Sequence, residues 1–489
     1  MSIFNLPDEE FVIDSRSKTL MRIGVLAAGV MLAGVVAYLL TTNRLIYVLI
    51  LIAVPVGILF IHRYPFATIP IWLMLTPLLT FPIYPGIRQV FWIVHRALPP
   101  VTLIIIFAAN MLGIYKRRLP KIGIAEWFMI GYVVVSILSI YVFNPKPIPT
   151  FYLLYDRTIA PIFLYLVVRF CSPNQKDIQR LLPVLFFIVI SQSVIGLLSW
   201  TVPGTLPRDW LDEWGGMRTT GSLAHPSVYS ATMIFCGLFL LHAGMGQRSR
   251  AARTIYFAVF TLTLAFDFLT FARAAWLGGI LVLMGIAIIY PRFATGLATA
   301  TLVISMLFGA VLLTQFSWVI DQASERLNGD AAQTSAFSRL PVYYAATRMF
   351  LEKPILGWGY ENFNRYDYQF YNNQVGSFVG DNKDHASHNF LLTLLAEQGA
   401  TGFLLFLGPI IYWLIQTIKW RKKNLADGLP YSKLPALLWL AVLNLIILIN
   451  FSNLRVSFGW GIWWLTLALI AAMIHPMAED KSTSLYRLK

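Results

Sequence analysis

His388 and Asn389, followed after nine residues by Gly399 and then by Gly402, are the residues of this chain best placed to do chemistry. They close a long polar stretch, Gln315 to Ser387, in a sequence otherwise dominated by apolar runs. An imidazole titrates near neutrality, so a His at the mouth of a bilayer span places a titratable group beside a lipid-borne substrate. The local reading is a helix start, with Asn389 as the cap and His388 in solvent. The residues alone leave both open.

Arginines are the second group. Arg218 sits in Arg218-Thr219-Thr220-Gly221, shortly before His225-Pro226, and Arg273 lies at the junction of two apolar runs. Arg339 and Arg348 flank a predicted loop helix from about Arg339 to Leu351, capped by Ser338 and stopped by Pro354, with Tyr343 and Met349 or Phe350 towards the membrane. Arg forks onto phosphate oxygens and keeps its charge, so such a set can hold a diphosphate. Arg88, Arg96 and Arg455 read instead as side chains snorkelling to headgroups, and Asp156-Arg157 as an interfacial pair. Asp267, a carboxylate inside a span, is a functional candidate or half of an ion pair with Arg273. His385 and His388 are spaced to share a helix face, but no third ligand accompanies them. No metal and no cofactor is expected, and the chain has no phosphate-binding Gly-Lys-Ser/Thr loop.

These groups need a membrane to position them. The chain has 489 residues, 57% hydrophobic and only 12% charged. A soluble domain is about a quarter charged. Apolar runs of near-spanning length number about 12 to 14, which predicts an all-α polytopic membrane protein. The weakest run, Phe66–Pro82, holds Pro70 and Pro77 and reads as broken or re-entrant. The net charge of +15 comes largely from lysines and arginines in short loops, and no nucleic-acid motif accompanies it. Lys116 to Lys121, Arg248 to Arg253 and Lys419 to Lys423 fall on one side if the spans alternate, and the positive-inside rule makes that side cytoplasmic. The expected layout is a cytoplasmic tail over 1–22, a helix bundle over 23–314, a large, partly helical periplasmic loop over 315–389, further spans over 390–476 and a cytoplasmic tail over 477–489.

With these residues in hand, the chain resembles the O-antigen ligase and polymerase superfamily of bacterial envelope glycosyltransferases. His388-Asn389-x(9)-Gly399-x-x-Gly402 looks like that family's signature at the end of its large periplasmic loop. Ser338-Arg339-Leu340, Pro354-Ile355-Leu356-Gly357-Trp358-Gly359 and Arg218-x-x-Gly221 with His225-Pro226 are similar to its other outer segments. The resemblance implies a metal-independent, inverting glycosyl transfer at the periplasmic face of the bacterial inner membrane. Undecaprenyl-diphosphate-linked glycan would be the donor, and a lipid A-core sugar or a second lipid-linked glycan the acceptor. His388 would be the general base and Arg339 would stabilise the departing diphosphate. Arg218, Arg273 and Arg348 would bind the diphosphate, with Asn389, His225, Gly399 and Gly402 in support.

A repeat-unit polymerase or a protein O-oligosaccharyltransferase would use the same donor chemistry and differ in acceptor. A lipid-linked glycan flippase or exporter would place charges midway through the bilayer and show two similar halves. Here the charges gather on one face and one half has the large loop.

Overall fold

The computed structural model describes residues 56–80, 88–114, 119–211, 218–291, 339–371, 387–424, 433–452 and 456–474, with a few single residues near 34–41 and 321–325. The chain divides into Met1–Arg63 and Tyr64–Lys489. Only Val56–Arg63 of the first unit is described as a continuous helix, and the remaining described helices belong to the second. The span expected from Phe293 and most of those expected from Ile23 and Leu45 lie outside the described residues, as do Ser338, Arg455 and the Lys116–Arg118 cluster.

Among the described residues, nine helices are long and apolar enough to cross a membrane. A short helix α1 (Thr68–Leu79) comes first, opened by a tight turn at Pro65–Ala67 and holding Pro77. With 12 residues it is too short to span alone. Then come α2 (Gln89–Met111), α3 (Ile124–Phe143), α4 (Pro147–Cys171), α5 (Gln175–Thr201), α6 (Pro226–Gly246) and α7 (Arg250–Phe268). The shorter apolar α8 (Arg273–Ile289) follows. Beyond it lie α9 (Arg339–Glu352) and the single turn α10 (Phe363–Tyr366). Last are α11 (Phe390–Asn424), α12 (Leu434–Phe451) and α13 (Ser457–Ile474). The all-α polytopic class is therefore observed.

α6 and α13 are the central helices, with 83% and 89% of their apolar stretches buried, against 28% for the peripheral α7. Small residues let the others close on them and on each other. A Cβ on Gly237 of α6 would meet the Thr263 hydroxyl of α7 at 2.5 Å, and one on Gly461 of α13 would meet the Trp72 ring of α1 at 2.1 Å. Without water to drive association inside a bilayer, such close packing is what holds helices together.

The loop helix runs as its sequence predicts, from Arg339 to Glu352. One detail is corrected. Met349 is fully buried with Val342, Ala346, Phe363 and Ala396 rather than turned to lipid. The apolar stripe of α9 is satisfied by α10 and α11, which pack over it.

Candidate functional site

The site forms where α11 begins. Asn389 Oδ1 accepts from the Leu392 amide at 3.0 Å, so the cap half of the local reading is correct. The Ser387 and Thr393 hydroxyls bond across the same turn. His388, however, has φ of +49°, in the left-handed region that costs a side chain about 1 kcal/mol or more. It is half-buried and lines a cavity of about 140 Å³. Asn389 thus closes the helix while the strained residue before it is presented to the cavity.

The glycines of the motif set the backbone beneath. Gly399 breaks α11 with φ 62° and ψ −164°, a conformation essentially confined to glycine. The turn Pro354 to Gly359 docks against that break. Trp358 N donates to Ala396 O (3.0 Å), Gly359 N to Glu397 O (2.7 Å), Ala400 N to Pro354 O (2.8 Å) and Thr401 N to Ile355 O (3.2 Å). The two backbones come so close that a Cβ on Gly399 would sit 2.4 Å from the Ile355 carbonyl, and one on Gly357 2.4 Å from that of Glu397. Gly402 clears room for Gln398, whose Oε1 accepts from the Ser136 hydroxyl of α3 at 3.0 Å. The motif glycines position the cavity wall.

Phe406, Trp460 and Trp464 give the cavity an aromatic side, and Tyr132, Gln398 and Ser452 give it polar groups. Its charged lining is Arg157, Glu361 and Glu397, together with the titratable His388. Arg157 is ion-paired with Glu361. Glu397 is nearly buried, and its Oε1 accepts from the Phe363 amide at 2.9 Å. Burial pushes the Tyr360 phenol well above its usual range, so it stays a neutral donor.

Arg157 reaches the cavity through an unusual backbone. α2 and α4 each contain a π-turn, Trp92–Ala97 and Tyr155–Ile159. Such turns are frequent at functional sites. The Arg96 guanidinium forks onto Asp156 through Nε (2.5 Å) and Nη2 (2.6 Å), Tyr155 donates to Arg96 O (2.7 Å), and His95 Nε2 lies 3.0 Å from Asp156 O. Two expectations are corrected here. Arg96 is not a snorkelling side chain, since it is 17% exposed and lies 3.7 Å over the Trp92 ring. Asp156 and Arg157 are not each other's partners, because successive side chains on a helix diverge. Asp156 turns to α2 and Arg157 to the cavity.

The other candidates gather around the same end of the bundle at different distances from the cavity. Arg339 Nη1 donates to Phe451 O (3.2 Å) at the end of α12. The next residue, Ser452, lines the cavity and bonds the Ser227 hydroxyl at 2.7 Å. His225 caps α6 by accepting from the Ser227 amide at 3.3 Å. Arg339, His225 and His388 are therefore tied to one rim through Phe451, Ser452 and Ser227. The Arg218 segment is pinned from three sides. Thr219 N donates to Leu269 O (3.1 Å), Ser222 N to Gln192 Oε1 (3.0 Å), and Ser222 Oγ to Pro77 O (2.9 Å). That places Arg218 beside the α7–α8 junction, where Arg273 is exposed at the first position of α8. Arg348 is exposed on α9. Arg218, Arg273 and Arg348 are not among the residues that line the cavity. Asp267 is buried in α7 with Oδ2 against Gly279 of α8, in a separate place.

The sequence reading missed Arg157, Glu361, Glu397 and Gln398. Glu397 carried a usable signal, an ionisable residue within an apolar run. Glu361 carried none, since its partner lies 204 positions away in the chain.

Residues 257–407 match the family described as O-antigen ligase. The match runs from α7 through the Gly399–Gly402 segment of α11 and so contains Arg273, Arg339, Arg348 and His388. A Rickettsia conorii protein assigned by name as a polysaccharide ligase is 23% identical over 331 residues, covering 65% of this chain and 74% of the relative.

Proposed function

From a chain whose segment 257–407 matches the O-antigen ligase family, we propose a membrane glycosyltransferase that moves a glycan from a polyprenyl diphosphate carrier, undecaprenyl diphosphate, to an acceptor hydroxyl on a lipid A-core sugar. The observation that carries this reading is the strained His388, which lines a cavity together with Ser452, whose neighbour Phe451 accepts a bond from Arg339 through its carbonyl. In this reading His388 takes the proton of the acceptor hydroxyl as the oxygen attacks the anomeric carbon. The bond from that carbon to the diphosphate oxygen breaks with inversion, and the diphosphate leaves with the electron pair. Arginines, Arg339 first, offset its charge in place of a metal. The name of the Rickettsia relative supports ligase over polymerase. A polymerase would differ in taking a second lipid-linked glycan as acceptor.

The test is transfer by purified protein in detergent, with lipid-linked donor and each acceptor type supplied separately. His388→Ala should lose about 10²–10⁴ in rate while keeping its fold. Arg339→Ala should lose transfer likewise, and Arg339→Lys should recover little, because a point charge does not replace a fork. Near-normal transfer by His388→Ala would leave the residue a helix-start feature and end this assignment.

A further inference from the structure

We propose that Arg157 is a diphosphate ligand of this chain, and that Glu361 occupies its guanidinium until a substrate diphosphate displaces it. The identity of the ligand rests on the proposed glycosyl transfer. The cavity beside His388 takes its arginine, among the described residues that line it, from α4 and not from the loop. Arg157 is rooted in the π-turn of α4, which the Arg96 fork and the bond from Tyr155 to Arg96 O hold from α2. Its position is therefore fixed without help from Glu361. Among the described residues Arg157 bonds that carboxylate through Nη1, which leaves Nε and Nη2 for a ligand.

Glu361 is built as a displaceable partner. Its backbone sits at φ +58°, and its neighbours are pinned on both sides. Tyr360 N donates to Ser139 Oγ (2.9 Å), Asn362 Nδ2 to Trp358 O (3.0 Å) and Phe363 N to Glu397 Oε1 (2.9 Å). The side chain can swing away while the turn stays in place. The pair is part-exposed, with side chains 21% and 35% exposed, so solvent screens it in part and it is weaker than a fully buried pair. A diphosphate carries more charge than one carboxylate and accepts a bidentate fork. A diphosphate seated on Arg157 would leave the sugar it carries in the cavity that His388 also lines.

The experiment measures binding without turnover, by calorimetry on the full chain in detergent. Inorganic pyrophosphate and farnesyl diphosphate are the two probes. Arg157→Gln should weaken both by about 10- to 100-fold. Glu361→Gln should tighten both by about two- to fivefold, since it removes the internal competitor. His388→Ala should bind both like wild type, which separates this proposal from the catalytic assignment. Tighter binding of farnesyl diphosphate than of pyrophosphate would identify a lipid-borne source, and equal binding a free one. Wild-type affinity in Arg157→Gln overturns the proposal. So does weaker binding in Glu361→Gln, which would make the pair a structural bridge. Should Arg157→Gln fail to fold, the sign of the Glu361→Gln change decides alone.

Discussion

Replacing Gly399 by Ala should detach the Pro354–Gly359 turn from α11. Two costs add. The backbone at φ 62°, ψ −164° is strained for any residue with a Cβ, by about 1–3 kcal/mol. The new methyl would also lie 2.4 Å from both C and O of Ile355 and 2.8 Å from Leu356 N. All three are backbone atoms that no rotamer change can move. Relief requires the turn to back away, which gives up the Trp358, Gly359, Ala400 and Thr401 amide bonds. At about 0.5–1.5 kcal/mol each, losing two brings the total to about 2–6 kcal/mol. Even the lower end corresponds to roughly 30-fold faster local opening. Hydrogen exchange read by mass spectrometry over peptides spanning 354–360 and 396–402 measures this directly. Gly204→Ala is the control, because nothing lies within 4 Å of its added methyl. Exchange in both peptides within about threefold of wild type would mean that the break tolerates a side chain and that the close-approach argument is wrong.

Asn389→Ala should lose the bond to Leu392 N and about 1 kcal/mol of stability, read as a lower melting temperature in detergent, whereas His388→Ala should melt like wild type. Single cysteines at Gln333 and Asn424 should react with an impermeant thiol reagent from opposite sides of the membrane. Labelling from the same side would undo the proposed periplasmic placement of the loop. Glycan transfer should persist in excess EDTA, and a loss reversed by magnesium or manganese would overturn the metal-independent reading and point to carboxylates such as Asp267, Asp381 or Asp384 as ligands.

The ends of two helices bear on that topology. α6 and α11 both start at the cavity end, as the bonds from Ser227 to Ser452 and from the Leu391 amide to Asn450 show. Their far ends carry Arg248 and Arg250, and Lys419 and Arg421. A helix rises about 1.5 Å per residue, so the 21 residues of α6 put about 30 Å between the cavity and that basic edge. Two of the basic clusters read from sequence therefore lie at helix ends away from the site.

The linear chain by itself determined the class of the molecule and the head of the site. Long apolar runs leave the backbone no choice but helices, because nothing in a bilayer core can bond an open amide. A His-Asn pair before such a run, with glycines at fixed spacing, marks a helix start with a special backbone, and both Asn389 as cap and Gly399 as break are local effects. Tertiary structure alone decided which charges meet His388. Arg157, Glu361 and Glu397 come from α4, the loop turn and α11, and the first two are brought together by paired π-turns and by a turn docked on a broken helix. The same packing directed Asp156 to Arg96 and left Arg218, Arg273 and Arg348 off the cavity wall. Local spacing governs which groups can share one helix face. Ion pairing across the bundle depends on how helices seat against one another, and that is set by close contacts no single segment contains.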